Sequence, residues 1–89
     1  MTETEALAGI AAVAREHLAI ADGIAPEARL VEDLGLDSLR LLTLAAEVEN
    51  RFRIRLEPED EAAIETVGDL VRTVVRKVEA AGRGGAEPG

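Results

Sequence analysis

The sequence predicts an all-α fold of four helices, the third short, with a long loop between helices 1 and 2. Three observations carry that expectation. Apolar residues recur at helical spacing in three stretches, around positions 7–18, 39–52 and 67–78. The one stretch that alternates with period two, Arg51 to Leu56, has no second alternating segment to pair with. And a chain of 89 residues without a single Cys must draw its stability from helix packing in one modest core. With His17 the only histidine, a structural zinc is excluded as well.

The first helix starts at Thr2-Glu3-Thr4-Glu5, a capping-box pattern, and continues through Leu7, Ile10, Ala11, Ala14 and Leu18 to an end near Ala19. His17 lies at that end, on the solvent side, with nothing nearby in sequence to orient it as a base. Residues 20–37 form the long loop. Asp22-Gly23 and Ala25-Pro26 break the helical period, and Leu30, Leu34 and Leu36 are spaced as anchors between Glu32, Asp33 and Asp37. A connection this long in so small a domain is commonly functional, and it also allows two helices to run nearly parallel.

From Asp37 to about Phe52 the pattern is helical and carries two apolar stripes. Leu41, Leu44, Ala45, Val48 and Phe52 form a wide stripe for the core. Leu39, Leu42 and Ala46 form a second stripe rotated toward solvent beside Ser38, which a small domain has few elements left to cover. Arg51 to Leu56 then reads as an extended exit with Phe52, Ile54 and Leu56 turned inward. Pro58 and the acids around it open a short third helix reaching about Ile64. Thr66-x-x-Asp69 starts the last helix, whose inward face is Val67, Leu70, Val71, Val74 and Val78, widened by Val75. The domain is expected to span 1–81. Residues 82–89, rich in Gly, are expected to be a disordered tail.

Charge narrows the function. The net charge is -8, which argues against nucleic acid and anionic membranes as partners and for basic protein surfaces. The acidity is concentrated in the long loop and around the third helix, whereas residues 38–56 are net positive. No segment has the length and apolarity of a membrane span, and no basic leader precedes the first helix, so the chain is expected to be cytoplasmic.

Ser38 is the residue around which the rest is arranged, and three chemistries compete for it. A hydrolytic nucleophile needs a base, an orienting acid and an oxyanion hole; the local sequence Leu36-Asp37-Ser38-Leu39-Arg40 lacks the Gly-x-Ser-x-Gly elbow, and the lone His is remote. A simple helix cap accounts for Asp37 or Ser38 but not for the anchored loop or the second stripe. Covalent attachment through a phosphodiester suits a helix N-terminus, whose free N–H groups and dipole favour negative charge.

Leu34-Gly35-Leu36-Asp37-Ser38-Leu39, with Leu30 and Asp33 before it and Glu49 to Phe52 after it, resembles the acyl carrier protein family and its 4′-phosphopantetheine attachment signature. The likeness runs from about Ala6 to Val78 and implies a small four-helix bundle. It implies that Ser38, preceded by Asp37, receives 4′-phosphopantetheine from coenzyme A through a phosphopantetheinyl transferase. The resulting thiol would carry acyl groups between acyl-loading, condensing and acyl-transfer enzymes, and the monomeric carrier itself would do no chemistry. Leu39, Leu42, Ala46 and Glu49 fall at partner-contact positions. Arg40 and Thr43 stand where fatty-acid-type carriers usually have acids, which points to a dedicated pathway such as polyketide or specialised lipid synthesis, with fatty-acid synthesis as the alternative. Leu36-Asp37 also departs from the Gly-Gly-His/Asp-Ser pattern of peptidyl carriers. From another class, an unmodified docking domain would use the same face. If the acyl chain is stored inside, Ala45, Ala46, Ala62 and Ala63 are the side chains small enough to make space.

Overall fold

A computed structural model describes residues 1–20 and 24–86, with the backbone alone from 82 onward. Four helices follow in order: α1 (Glu3–Leu18), α2 (Ser38–Phe52), α3 (Pro58–Ala63) and α4 (Val67–Ala86). The expected capping box is present at α1. Glu5 N–H donates to Thr2 Oγ1 at 3.1 Å and Thr2 N–H donates to Glu5 Oε1 at 2.9 Å. These bonds satisfy two donors that a helix start otherwise leaves free. Ala19 in the left-handed region closes the helix, one residue after its last buried leucine, Leu18.

Helix α1 packs against both α2 and α4. Its inward face is rotated from the expected one: Ala6, Gly9, Ile10, Val13, Ala14 and Leu18 are buried, while Leu7 and Ala11 sit at the margin. The reason is that α1 faces two neighbours, so its buried stripe is wider than a single helix contact requires. Gly9 sets the closeness of one contact, because a Cβ there would run into the Phe52 ring and crowd Arg51. From α2 the core takes Leu44 and Val48, and from α4 it takes Val67, Leu70, Val71 and Val74.

Of the long loop, the expected break at Asp22-Gly23 lies outside the described residues. The remainder is anchored as its leucines imply: Leu30 and Leu36 are buried and Leu34 is half-buried. Each such leucine contributes about 1.5–3 kcal/mol when fully buried, enough to hold an otherwise irregular segment in place. The loop is also tied by its backbone to the start of α4. Leu30 N–H donates to Glu65 O at 3.0 Å, Val67 N–H to Ala28 O at 2.9 Å and Gly68 N–H to Pro26 O at 2.8 Å. This short antiparallel bridge between Arg29 and Thr66 has no signature in the sequence, because it joins two segments without alternation.

After α2, Arg53 adopts the left-handed region and turns the chain into an extended exit, with Leu56 buried, Ile54 half-buried and Arg51, Arg53 and Arg55 exposed. Helix α4 begins with a reciprocal cap, Asp69 N–H donating to Thr66 Oγ1 at 3.0 Å and Thr66 N–H to Asp69 Oδ2 at 3.1 Å. Its backbone is helical through Ala86, into residues 82–86 of the expected tail. Glycine in a helix costs only about 1 kcal/mol, and the first residue that cannot continue one is Pro88. Residues 87–89 lie outside the described residues.

Candidate functional site

Ser38 is the first residue of α2 and is exposed. What places it there is local. Gly35, at φ +70°, makes the turn that a Cβ would strain, Leu36 drops into the core, and Asp37 in extended conformation becomes the N-cap. The Asp37 carboxylate accepts the Arg40 N–H at 2.9 Å, and its carbonyl accepts the Leu41 N–H at 2.8 Å. Capping therefore falls to Asp37, which leaves the Ser38 hydroxyl free of that task. The N–H groups of Ser38 and Leu39 precede the first intrahelical bonds, at the positive end of the helix dipole. A phosphate ester on Ser38 fits this position: it would be solvated and would meet the free N–H donors of the first turn, which contains no acidic residue after the Asp37 cap.

The acids upstream serve the loop. Asp33 Oδ2 accepts the Arg29 N–H at 2.7 Å, and Arg29 in turn pairs with Glu32. They stabilise the turn whose leucines fix the approach to Ser38.

Beside Ser38 runs the second stripe. Leu39 is 71% and Leu42 64% exposed, and Ala46 is also exposed. The loop leucines therefore do not cover this face. Arg40 is exposed at its edge, and Thr43 is half-buried with its hydroxyl donating to Leu39 O at 3.2 Å. Glu49 is placed differently from the others. It is half-buried, and its Oε2 accepts the Leu56 N–H at 2.7 Å, so one carboxylate oxygen holds the exit segment against α2. Val31, 56% exposed in the loop before Ser38, adds an apolar side chain that sequence reasoning passed over. Its signal was an apolar residue directly after an anchoring leucine, where strict spacing called for a polar one.

Beside Ser38 opens a cavity of about 350 Å³, whose lining includes Leu42 of that stripe. Leucines of the loop, of α2 and of α4 line it together with Leu56 and Ile64, and Ser38 and Glu61 stand among the lining residues. Of the four alanines expected to make space, only Ala45 lines it; Ala46, Ala62 and Ala63 are exposed. The space arises instead because α3 stands off from the core. No residue of α3 is buried. Asp60 is its tether, with Oδ2 2.7 Å from Lys77 Nζ and Oδ1 3.2 Å from an Arg76 guanidinium nitrogen. The bond from Lys77, then the N–H of Glu57, hold the Asp60 carboxyl below the usual carboxylate range.

His17 is exposed, and its Nε2 lies 3.4 Å from Glu47 Oε1, tying the end of α1 to α2. The pair points away from Ser38's side of the helix, since Glu47 is nine residues on and half a turn round from Ser38. His17 therefore supplies no base to the serine, and the site has the parts of a carrier: an exposed hydroxyl, an apolar landing face and a largely apolar cavity.

Comparison with known proteins agrees. Residues 8–74 match the family model described as the phosphopantetheine attachment site. The chain is 38% identical over 80 residues to the meromycolate extension acyl carrier protein of Mycobacterium leprae, covering 89% of this chain and 69% of that protein. It is 39% identical over 75 residues to acyl carrier protein 2 of Ralstonia nicotianae, covering 83% and 93%. Among solved structures, a Mycobacterium tuberculosis chain described as a candidate acyl carrier protein superposes with a TM-score of 0.74 at 37% identity, covering 79% of this chain and 95% of that one. This chain belongs to the acyl carrier protein family. It is a non-catalytic carrier of acyl groups, its prosthetic group is 4′-phosphopantetheine, and it works with synthase and transferase enzymes. Among the described residues no helix is long and apolar enough to cross a membrane.

Proposed function

We propose that Ser38 bears the 4′-phosphopantetheine and that the exposed face of α2 docks the enzymes that load and unload it. The observation that carries this reading is the position of Ser38 where two apolar features meet, the exposed face of Leu39 and Leu42 and the cavity, with Leu42 belonging to both. Bound there, the group supplies a thiol that holds acyl chains as thioesters. The chain's own residues do the rest. Asp37 keeps the first turn of α2 closed, Leu39, Leu42 and Ala46 bury apolar surface against each partner, and the cavity offers hydrocarbon a refuge from water. Arg40, Thr43 and Glu49 set the polar margin, with Arg40 requiring an acidic counterpart. A phosphopantetheinyl transferase and acyl-loading, condensing and acyl-transfer enzymes use this face in turn, with the carrier acting as a monomer in the cytoplasm.

The pathway is specialised lipid or polyketide synthesis rather than housekeeping fatty-acid synthesis. Two points support that: the likeness to the mycobacterial protein named for meromycolate extension, and the exposed Arg40 next to the attachment residue. Intact mass after incubation with coenzyme A and a phosphopantetheinyl transferase tests the attachment. The wild type is expected to gain one phosphopantetheine and Ser38→Ala none. No gain on the wild type, or a gain that survives the substitution, overturns the proposal, and a partner retained by Ser38→Ala with no modification of the wild type identifies a docking domain instead.

A further inference from the structure

The residues that line the cavity are apolar except for Ser38 itself and one charged residue, Glu61. Its orientation follows from its neighbour. Asp60 is drawn toward α4 by Arg76 and Lys77, and the next residue of a helix lies 100° further round, which carries Glu61 to the side facing α2. Asp60 also accepts the Glu57 N–H at 2.9 Å, so the phase of α3 is set at its first turn. Among the described residues no cation or N–H group pairs with the Glu61 carboxylate. Glu61 is exposed, lines the cavity together with Ser38, and its carboxylate has no protein partner among the described residues.

We propose that Glu61 is a specificity-determining residue that accepts a hydrogen bond from a neutral O–H or N–H donor entering the cavity on the prosthetic arm or on its acyl cargo. This rests on the reading of Ser38 as the attachment residue. An ionised carboxylate is acceptor-only. Methylene groups drawn past it displace its water and return nothing, so a saturated chain enters at a cost. A hydroxyl near the thioester, or an amide N–H of the arm, replaces that water with a charge-assisted bond. A cargo that itself ends in a carboxylate is repelled and stays outside. The cavity thus prefers chains that are polar near the carbonyl and apolar beyond it.

The test compares the holo protein, a hexanoyl thioester and a 3-hydroxyhexanoyl thioester on the wild type, Glu61→Leu and Glu61→Gln, each loading confirmed by intact mass. The readout is the rate at which hydroxylamine cleaves the thioester, with the melting temperature of every form alongside. In the wild type the hydroxylated chain is expected to be cleaved about two- to tenfold more slowly than the saturated one, the range that one net hydrogen bond represents. Glu61→Leu is expected to reverse that order, and Glu61→Gln, which keeps an acceptor oxygen, to retain it. If instead the holo melting temperature falls in Glu61→Leu while the apo value stays, the donor is on the arm; if only the acyl forms respond, it is on the cargo. An unchanged ratio between the two thioesters together with an unchanged holo melting temperature overturns the proposal. Failure to load any form at Ser38 would instead strike the attachment reading, so the two failures are separable.

Discussion

Helices α3 and α4 stand on opposite terms with the core, although they follow one another directly. Helix α4 buries Val67, Leu70, Val71 and Val74, whereas α3 buries nothing and is held by the carboxylate of Asp60. One is fastened by area removed from water, the other by charge and a backbone cap. The difference matters for a carrier, because α3 is a wall of the cavity beside Ser38. A wall held by a few polar contacts can open without disturbing the rest, while the element behind it stays fixed. Local stability of this kind is distributed by burial, and the poorly buried element is the one that opens first.

The largest effect expected from this contrast is on α4. Leu70→Ala removes a buried leucine and should cost about 2–5 kcal/mol of unfolding free energy, a large part of what a domain of this size possesses. Urea unfolding measures it. A loss below about 1 kcal/mol would mean that α4 is not the anchor, since even a compliant core site gives more. A smaller and local effect is expected from Asp60→Asn, which keeps the shape and removes the charge that Lys77 and Arg76 bind. Amide exchange should quicken at Glu61 and Ile64, whose N–H groups donate to Glu57 O and Glu61 O within α3, and remain unchanged along α4. Equal acceleration of both helices would show that they open as one unit and would remove the distinction.

The same contrast explains what could be read in the sequence. Local chemistry was readable: Thr2 with Glu5 and Thr66 with Asp69 cap their helices through side chains three residues apart. The two faces of α2 were readable too, because a period of 3.6 separates Leu44 and Val48 from Leu39 and Leu42 without any knowledge of partners. Long-range consequences were not. The bridge of Arg29 to Thr66 and the bond from Leu56 N–H to Glu49 join segments that carry no mutual pattern. The position of Glu61 was hidden for a related reason. Helix α3 has six residues and no buried one, so no apolar stripe reveals which way it faces; its phase comes from Asp60 meeting Arg76 and Lys77, sixteen and seventeen residues away. Of the four alanines only Ala45 faces the cavity, because small size alone does not say which way a residue points.

Acidification offers the finest test of the comparison. Three carboxyls are held below their ordinary range: Asp69 chiefly by the N–H groups of Glu65 and Thr66, Asp60 chiefly by Lys77, and Glu5 chiefly by the N–H of Thr2. A lowered folded pKa means that the stabilisation is complete above the unfolded value, about 3.9 for Asp, and is lost as the pH falls through the folded one. Against this runs the self-repulsion of a chain with a net charge of -8, which fades toward its isoelectric point near 4.6. The two trends act in different windows, repulsion falling between about pH 7 and 5 and the carboxylate contacts failing below about pH 4. The urea midpoint is therefore expected to be highest near pH 5 and lowest near pH 3, and a midpoint at pH 3 equal to that at pH 5 would count against these contacts. Within that decline the helices should part company. Protonating Asp60 removes the main hold on α3, whereas protonating Asp69 removes only a cap from a helix that keeps its buried valines and Leu70. Exchange at Glu61 and Ile64 should accordingly quicken at a higher pH than exchange at Leu70 and Val74, once each is corrected for the intrinsic dependence of exchange on pH, and a common onset would place both helices under a single cooperative transition.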